Sequence, residues 1–342
     1  MILVNANRKL SLKKILIELK LLMSVDKFKV KVDHVRQVAQ GVMELVLKPT
    51  NQDLLPAFTP GAHVDLYLPS GLVRAYSLTN ACAPEGQIEY VLAIGLSASS
   101  RGGSRYVHES VTKGQLLEVG TPRNLFELSD DPAPALFIAG GIGITPLRAM
   151  AHKRQAQALP WRLVYAARSR SHAAYADELA NFGASVGFHF DDQVGGPLPV
   201  KEVLEGLTPQ THLYCCGPQA LMDKVRELST GHPQSHLHFE SFAARDLTLP
   251  ATSSRGFIVE LARQGQVAEV APGQSIIDCL EALGVIVPSV CREGICGACE
   301  CTVIAGEVDH RDQILTATEK EASQTMMICV SRAKGERLVL DL

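Results

Sequence analysis

Four cysteines near the C-terminal end have types and spacing suited to a redox metal centre. Cys291, Cys296 and Cys299 stand in CREGICGAC, and Cys329 follows in MMICVSRAK. C-x4-C-x2-C with one distant cysteine is the plant-type ligand spacing of a [2Fe–2S] cluster. Each iron takes two thiolates beside the bridging sulfides, so three ligands from one loop and one from elsewhere complete the set. The chemistry is one-electron transfer. Gly294 and Gly297 lie inside the loop, where a Cβ would crowd the sulfides or forbid positive φ, and backbone N–H groups there can tune the potential. The competing readings fit less well. A structural zinc site usually pairs two C-x2-C halves, and the second half is missing. Disulfides are disfavoured because nothing marks the chain for export and its nine cysteines leave one over. Cys301 reads as a buried small apolar residue rather than a ligand, and Cys82 and Cys279 as structural.

A second set of residues could hold nucleotides. GGIGITP (140–146) follows a continuous apolar run, ALFIAG, and opens a helix. Gly140, Gly141 and Gly143 would let backbone approach a ligand, Thr145 is a natural N-cap, and Pro146 suits a first helical turn. The free N–H groups and dipole of such a helix start attract a pyrophosphate. LYCCGPQALMDKV (213–225) repeats the strand–turn–helix grammar. Gly217 and Pro218 make the turn. Cys216, at the carboxyl end of its strand, either faces the crevice where such sheets bind ligands or is a core cysteine. RAYSLTN (74–80) places Arg74 and Tyr76 on one strand face and Ser77 on the other unless a bulge intervenes. Arg74 could grip a phosphate and Tyr76 stack on a flat ring, although an ordinary barrel strand reads the same way. RGGSRYVHE (101–109) reads as an anion-binding turn into a helix. Arg101 supplies charge, Gly102 and Gly103 free the backbone, and Ser104 caps and donates; a helix start with solvated charges is the alternative.

The elements that must position these residues fall into three blocks. A length of 342 residues predicts two or three domains. Hydrophobic residues at 46% and charged residues at 20% fit a globular, soluble protein. A net charge of −3 gives no sign of nucleic-acid binding, and no apolar run of membrane-spanning length exists. Residues 1–24 form an extension, RKLSLKKILIELKLLM at its heart, without a signal-peptide pattern. It reads as a loosely attached helix, a start codon placed too early with Met23 as the true start, or a surface-binding helix. Residues 25–130 show short alternating runs separated by Gly, Pro and Asn, predicting an antiparallel β-barrel. Residues 131–242 alternate apolar strands with helical stretches, predicting a doubly wound parallel α/β domain. A polar connector, 243–255, leads to 256–342, whose strand–strand–helix–loop–strand order predicts a β-grasp domain around the cysteine loop.

Taken together, RAYS, RGGS, GGIGITP, CCGP and the cysteine loop, in that order, resemble the reductase components of Rieske-type aromatic-ring oxygenases. The likeness is to the phthalate dioxygenase reductase type, with vanillate demethylase reductases more distant; YCCGPQALMD, HFESF, DHRD and CVSRAK…LVLDL also match. The resemblance covers residues 25–342 and implies FMN, NADH and a [2Fe–2S] cluster as cofactors. It implies that Arg74, Tyr76 and Ser77 hold the flavin, with Ser77 hydrogen-bonding near N5. Ala93 and Ile94 would line the ring through backbone, and Arg101, Gly102, Gly103 and Ser104 would take the phosphate. Phe242 would cover the ring where nicotinamide enters, with Glu240 beside it. Ala75 stands where the family has threonine, so any side-chain contact there is lost. Arg168 and Arg170, in a stretch where the family has an acidic residue, could accept a 2′-phosphate, yet NADH is the expected donor. The implied partner is a Rieske-type oxygenase component, served by a cytoplasmic, monomeric reductase with no nucleic-acid or membrane partner. A reductase for another acceptor, such as a di-iron monooxygenase, and a redox-sensing binding protein are the alternatives. The ring substrate is chosen by the oxygenase and is not written in this chain.

Overall fold

Alternation of buried apolar and exposed polar residues builds the first of three sheets. The computed structural model describes residues 27–51, 53–97, 102–242 and 255–342; the 1–24 extension, Arg101 and residues 243–254 of the connector lie outside them. Strands β1 (Lys27–Ala39), β2 (Val42–Pro49), β3 (His63–Tyr67), β4 (Val73–Ser77), β5 (Tyr90–Gly95) and β6 (Leu116–Gly120) form one sheet. Their order is β4-β3-β6-β1-β2-β5 with antiparallel neighbours. A bridge from Leu78 to Leu92 draws the two ends together, so the sheet curls into a barrel around Val30, Leu45, Leu47, Leu66 and Leu92, all wholly buried.

The second sheet is parallel: β7 (Ala135–Gly140), β8 (Trp161–Ala167), β9 (Val186–Phe190), β10 (His212–Cys216) and β11 (Leu237–Glu240), in the order β11-β10-β7-β8-β9. The chain winds outward from β7 through β8 to β9, then crosses back to β10 and β11. The switch point falls between the carboxyl ends of β7 and β10, where a doubly wound sheet opens a crevice for ligands. GGIG and CCGP are the turns that leave those two strands.

The third sheet holds β12 (Phe257–Leu261), β13 (Gln266–Val270), β14 (Glu300–Ala305), β16 (Thr325–Met327) and β18 (Arg337–Leu340), ordered β13-β12-β18-β14-β16 with β12 and β18 parallel. Two short strands, β15 (Val308–Asp309) and β17 (Arg332–Ala333), pair beside it. The Ile276–Ala282 helix, capped where Ser275 accepts from the Asp278 N–H, packs Ile276, Ile277 and Leu280 into the core. This is the β-grasp arrangement, with the cysteine loop filling the span between helix and β14.

Barrel and parallel sheet are clamped by charge. Arg148 donates Nε and Nη2 to both carboxylate oxygens of Glu178 at 2.9 and 2.8 Å, and Nη1 to the Thr79 carbonyl at 2.8 Å. Its guanidinium lies 4.3 Å from the Tyr175 ring centroid. Burial pushes the Glu178 carboxyl up, but His152 and Arg148 outweigh it and hold the group down to about 2. Arg148→Met removes the donor to the Thr79 carbonyl and leaves the Glu178 carboxylate with His152 alone. We expect a loss of about 2 kcal/mol, between the values for exposed and buried pairs, measured as an earlier first transition in urea.

Candidate nucleotide cleft and cysteine loop

One cavity, of about 420 Å3, is walled by all three sheets. The barrel contributes Arg74, Ala75, Tyr76, Ser77, Ala93, Ile94, Gly103 and Ser104. Thr145, Glu240 and Phe242 come from the parallel-sheet unit, and Cys291 and Cys296 from the cysteine loop. The volume falls within the ~300–1,000 Å3 of cofactor sites.

Both faces of β4 reach the cavity. The β3–β4 register runs unbroken from His63↔Ser77 to Tyr67↔Val73, so no bulge turns Ser77. Strand β4 ends the sheet order, and four of its five residues line the cleft. Tyr76 is partly buried, and desolvation pushes its hydroxyl up to about 12, so it stays a neutral donor. The Gly103–Ser110 helix begins at Gly102, φ 93°, with no side-chain cap. The expected Ser104 cap is therefore absent; its Oγ accepts from the Ser97 N–H at 3.4 Å. Gly103 is required by contact: a Cβ there would lie 2.6 Å from Arg74 Cγ. That closeness sets the arginine beside the helix start, a pairing suited to a phosphate.

At the crevice, the Ile144–Ala156 helix starts two residues before Pro146 and follows a 3₁₀ turn, Gly141–Gly143. Thr145 is not the N-cap. It lies inside the helix and donates Oγ1 to the Ile142 carbonyl at 3.0 Å, because the 3₁₀ turn already occupies the capping position. The glycines serve a purpose the sequence did not suggest. A Cβ on Gly143 would lie 2.0 Å from the Cys216 carbonyl oxygen, and one on Gly140 2.6 Å from Pro218 Cδ. The two turns pack on each other, and glycine at 140, 143 and 217 permits it; Gly141, with φ 54°, faces open space.

Cys216 ends β10 wholly buried in the parallel-sheet core and does not line the cavity. Burial, and then the nearby Glu240, push its thiol well up. Glu240, at the end of β11, does line the cavity. Its residue is partly exposed, yet Oε2 reaches neither water nor partner, and desolvation pushes the carboxyl up to about 8. Phe242, 42% exposed, also lines the cavity.

The cysteine loop brings its four thiols together. Cys296 and Cys329 push the Cys291 thiol down and Cys329 lowers Cys299, while Cys296 and Cys329 are themselves pushed up by the same neighbours. Their plant-type spacing is that of [2Fe–2S] ligands, although among the described residues the side chains are not arranged as a ready-made metal site. Cys296, Cys299 and Cys329 are about 95% buried. Gly294 and Gly297 have φ of 69° and 71°; a Cβ on the first would strike Val330 at 2.6 Å, and one on the second would touch Leu125 of the strap after the barrel at 3.0 Å. Asp312 of DHRD holds the neighbouring segment, accepting from the Ile314 and Leu315 N–H groups. Cys301 and Cys279 are core residues of this domain.

Sequence reasoning missed His63. It sits on β3 opposite Ser77, 6% exposed, and lines the cavity beside Cys291. Burial, then the charge of Arg123, push its imidazole down to about 4, so it is neutral. Arg123 itself is paired with Asp65 at 2.8 Å. A lone histidine in a barrel strand gave no signal; only the approach of the cysteine loop makes it notable.

A barrel, a parallel sheet open at its switch point and a four-cysteine β-grasp unit around one cleft define a nicotinamide-dependent iron–sulfur oxidoreductase. Residues 137–192 match the oxidoreductase NAD-binding domain and 259–334 the 2Fe-2S iron-sulfur cluster binding domain. Phenoxybenzoate dioxygenase subunit beta of Ectopseudomonas oleovorans is 42% identical, over 89% of this chain and 94% of that protein. The phthalate 4,5-dioxygenase oxygenase reductase subunit of Pseudomonas putida is 40% identical, over 90% and 94%. Among solved structures, phthalate dioxygenase reductase, a modular structure for electron transfer from pyridine nucleotides to [2Fe–2S], is 36% identical with a TM-score of 0.68, over 92% of this chain and 98% of that one. An intact type IV self-sufficient cytochrome P450 monooxygenase is 36% identical with a TM-score of 0.85; the chain covers 41% of its length. The chain belongs to the family of phthalate dioxygenase reductase-type oxygenase reductases. Among the described residues no helix is long and apolar enough to cross a membrane.

Proposed function

We propose that this protein is the reductase component of a two-component Rieske-type aromatic-ring oxygenase, drawing electrons from NADH. The observation that carries the reading is the single cavity in which a flavin-type barrel, an NAD-binding unit and the cysteine loop meet. When bound, FMN would take two electrons from NADH as a hydride and release them singly to the [2Fe–2S] centre, whose acceptor is the oxygenase. The chain's own residues bind and orient. Arg74 and the backbone of Gly102, Gly103 and Ser104, with Arg101, would hold the phosphate. Tyr76 and Ser77 would fix the flavin ring against Ala93 and Ile94. The turns at Gly140, Gly141, Gly143 and Thr145 and at Cys216, Gly217 and Pro218 would receive the dinucleotide. Phe242 would guard the ring until nicotinamide displaces it, with Glu240 alongside. Cys291, Cys296, Cys299 and Cys329 would ligate the cluster.

The working units are 25–130, 131–242 and 256–342, and the reductase is a cytoplasmic monomer in this reading. A different acceptor is the second reading, favoured by the cytochrome P450 monooxygenase among the structural relatives. Reconstitution tests the proposal. Extraction of the purified protein should release FMN and not FAD, and NADH should reduce it with a higher kcat/KM than NADPH. The reduced protein should drive turnover of a Rieske oxygenase. FAD in the extract, or electron delivery to a P450 haem and not to a Rieske centre, would overturn it.

A further inference from the structure

We propose that His63 is a positioning residue at the junction of flavin and cluster: its Nε2–H donates a hydrogen bond to Cys291 Sγ when that sulfur is a cluster ligand. The inference rests on the reading of the cleft as a flavin site beside a [2Fe–2S] loop, and it assigns the barrel a part in tuning the cluster.

Three observations converge on it. First, His63 Nε2 is shut off from solvent and has no partner in the protein. A buried polar nitrogen left without a partner is costly, so its presence calls for a partner that arrives with the cofactors. Second, His63 and Cys291 line the same cavity, and the charge of Cys291 reaches both His63 and its neighbour Asp65. Third, the imidazole is held from behind. The His63 N–H donates to the Arg123 carbonyl at 2.9 Å, the Arg123 N–H returns the bond at 3.0 Å, and Arg123 is fixed in turn by Asp65. A neutral imidazole on a fixed backbone, in the tautomer that carries its proton on Nε2, is a directional donor.

Cys291 Sγ already accepts from the Glu293 N–H within its own loop, at 3.3 Å. His63 would add a second donor from a different domain. Hydrogen bonds to ligand sulfur stabilise the more negative, reduced cluster and raise its potential. The bond would form only when the β-grasp unit is docked against the barrel, so it couples that docking to the ease of reducing the cluster.

The test uses the full-length holoprotein with wild type, His63→Leu and His63→Gln, titrated potentiometrically with the cluster followed by EPR and the flavin by absorbance. In His63→Leu the electron-sharing equilibrium between flavin and cluster should shift about tenfold toward the flavin, a fall of ~59 mV in the cluster couple. In His63→Gln, whose amide keeps a donor, the shift should be less than about threefold. The flavin couple serves as the internal reference. A cluster potential in His63→Leu equal to wild type would overturn the proposal, as would a shift confined to the flavin couple. If His63→Leu fails to assemble its cluster, His63→Asn, whose shorter amide cannot reach, takes its place with the same expected fall. Absence of FMN from wild type would sink the functional reading alone, because the cluster potentials of wild type and variant can still be compared.

Discussion

Replacing Cys299 with serine is expected to split the electron path in two. Reduction of ferricyanide by NADH, which draws on the flavin directly, should persist. Reduction of cytochrome c or of an oxygenase partner should fall by more than about 100-fold, the upper end of what loss of a mere outer-shell partner of a metal ligand costs. The physical reason is the arrangement of the four thiols. Cys291 and Cys296 line the cleft, whereas Cys299 and Cys329 lie buried in the domain core and away from it. The substitution leaves the walls of the flavin site intact while removing one of the thiolates that Cys329 holds down. Because metal binding and folding are linked, the β-grasp unit should also lose stability, seen as an early transition in a thermal scan while the barrel and parallel sheet melt as before. Absorbance and EPR report cluster loss directly. Cytochrome c reduction at the wild-type rate from a protein without cluster signals would mean that electrons leave from the flavin, and the cluster would have no place in the path.

The three-block fold was legible because each block states its period plainly. Alternating runs became β1–β6, the unbroken apolar run ALFIAG became the central parallel strand β7, and the cysteine spacing marked the loop. Local capping was less legible. Thr145 and Ser104 have side chains that favour N-caps, but a 3₁₀ turn and a glycine start took those positions. The role of Gly140, Gly143 and Gly217 was also hidden. Their spacing suggests ligand approach, but the contact they permit is between two turns more than 70 residues apart in the chain, Gly143 against the Cys216 carbonyl and Gly140 against Pro218. His63 was invisible for a related reason. Its meaning comes from Cys291, more than 200 residues away, and single-strand alternation carries no trace of such a neighbour.

Glu240→Gln is expected to make the cofactor-free protein more stable at alkaline pH than wild type. The wild-type carboxyl is raised from an ordinary 4.5 to about 8 by desolvation, with Oε2 unpartnered. An unfolded chain ionises this group above about pH 4.5, while the folded chain keeps its proton until about pH 8. The folded state therefore binds the extra proton, and stability falls with rising pH wherever that is so. The stabilising contribution is complete below pH 4.5, declines from there to pH 8, and is flat beyond. At about 1.4 kcal/mol per unit, and discounted because the residue is partly open to the cavity, the whole change amounts to roughly 2–4 kcal/mol. A neutral amide of the same shape removes this slope. Urea midpoints of wild type and variant should then converge near pH 5 and diverge progressively to pH 8.5, with the variant ahead. Parallel curves across that range would show that Glu240 is already ionised at neutral pH. The carboxyl would then present a fixed negative charge to the cleft rather than a hydrogen-bond donor, and its place there would be electrostatic.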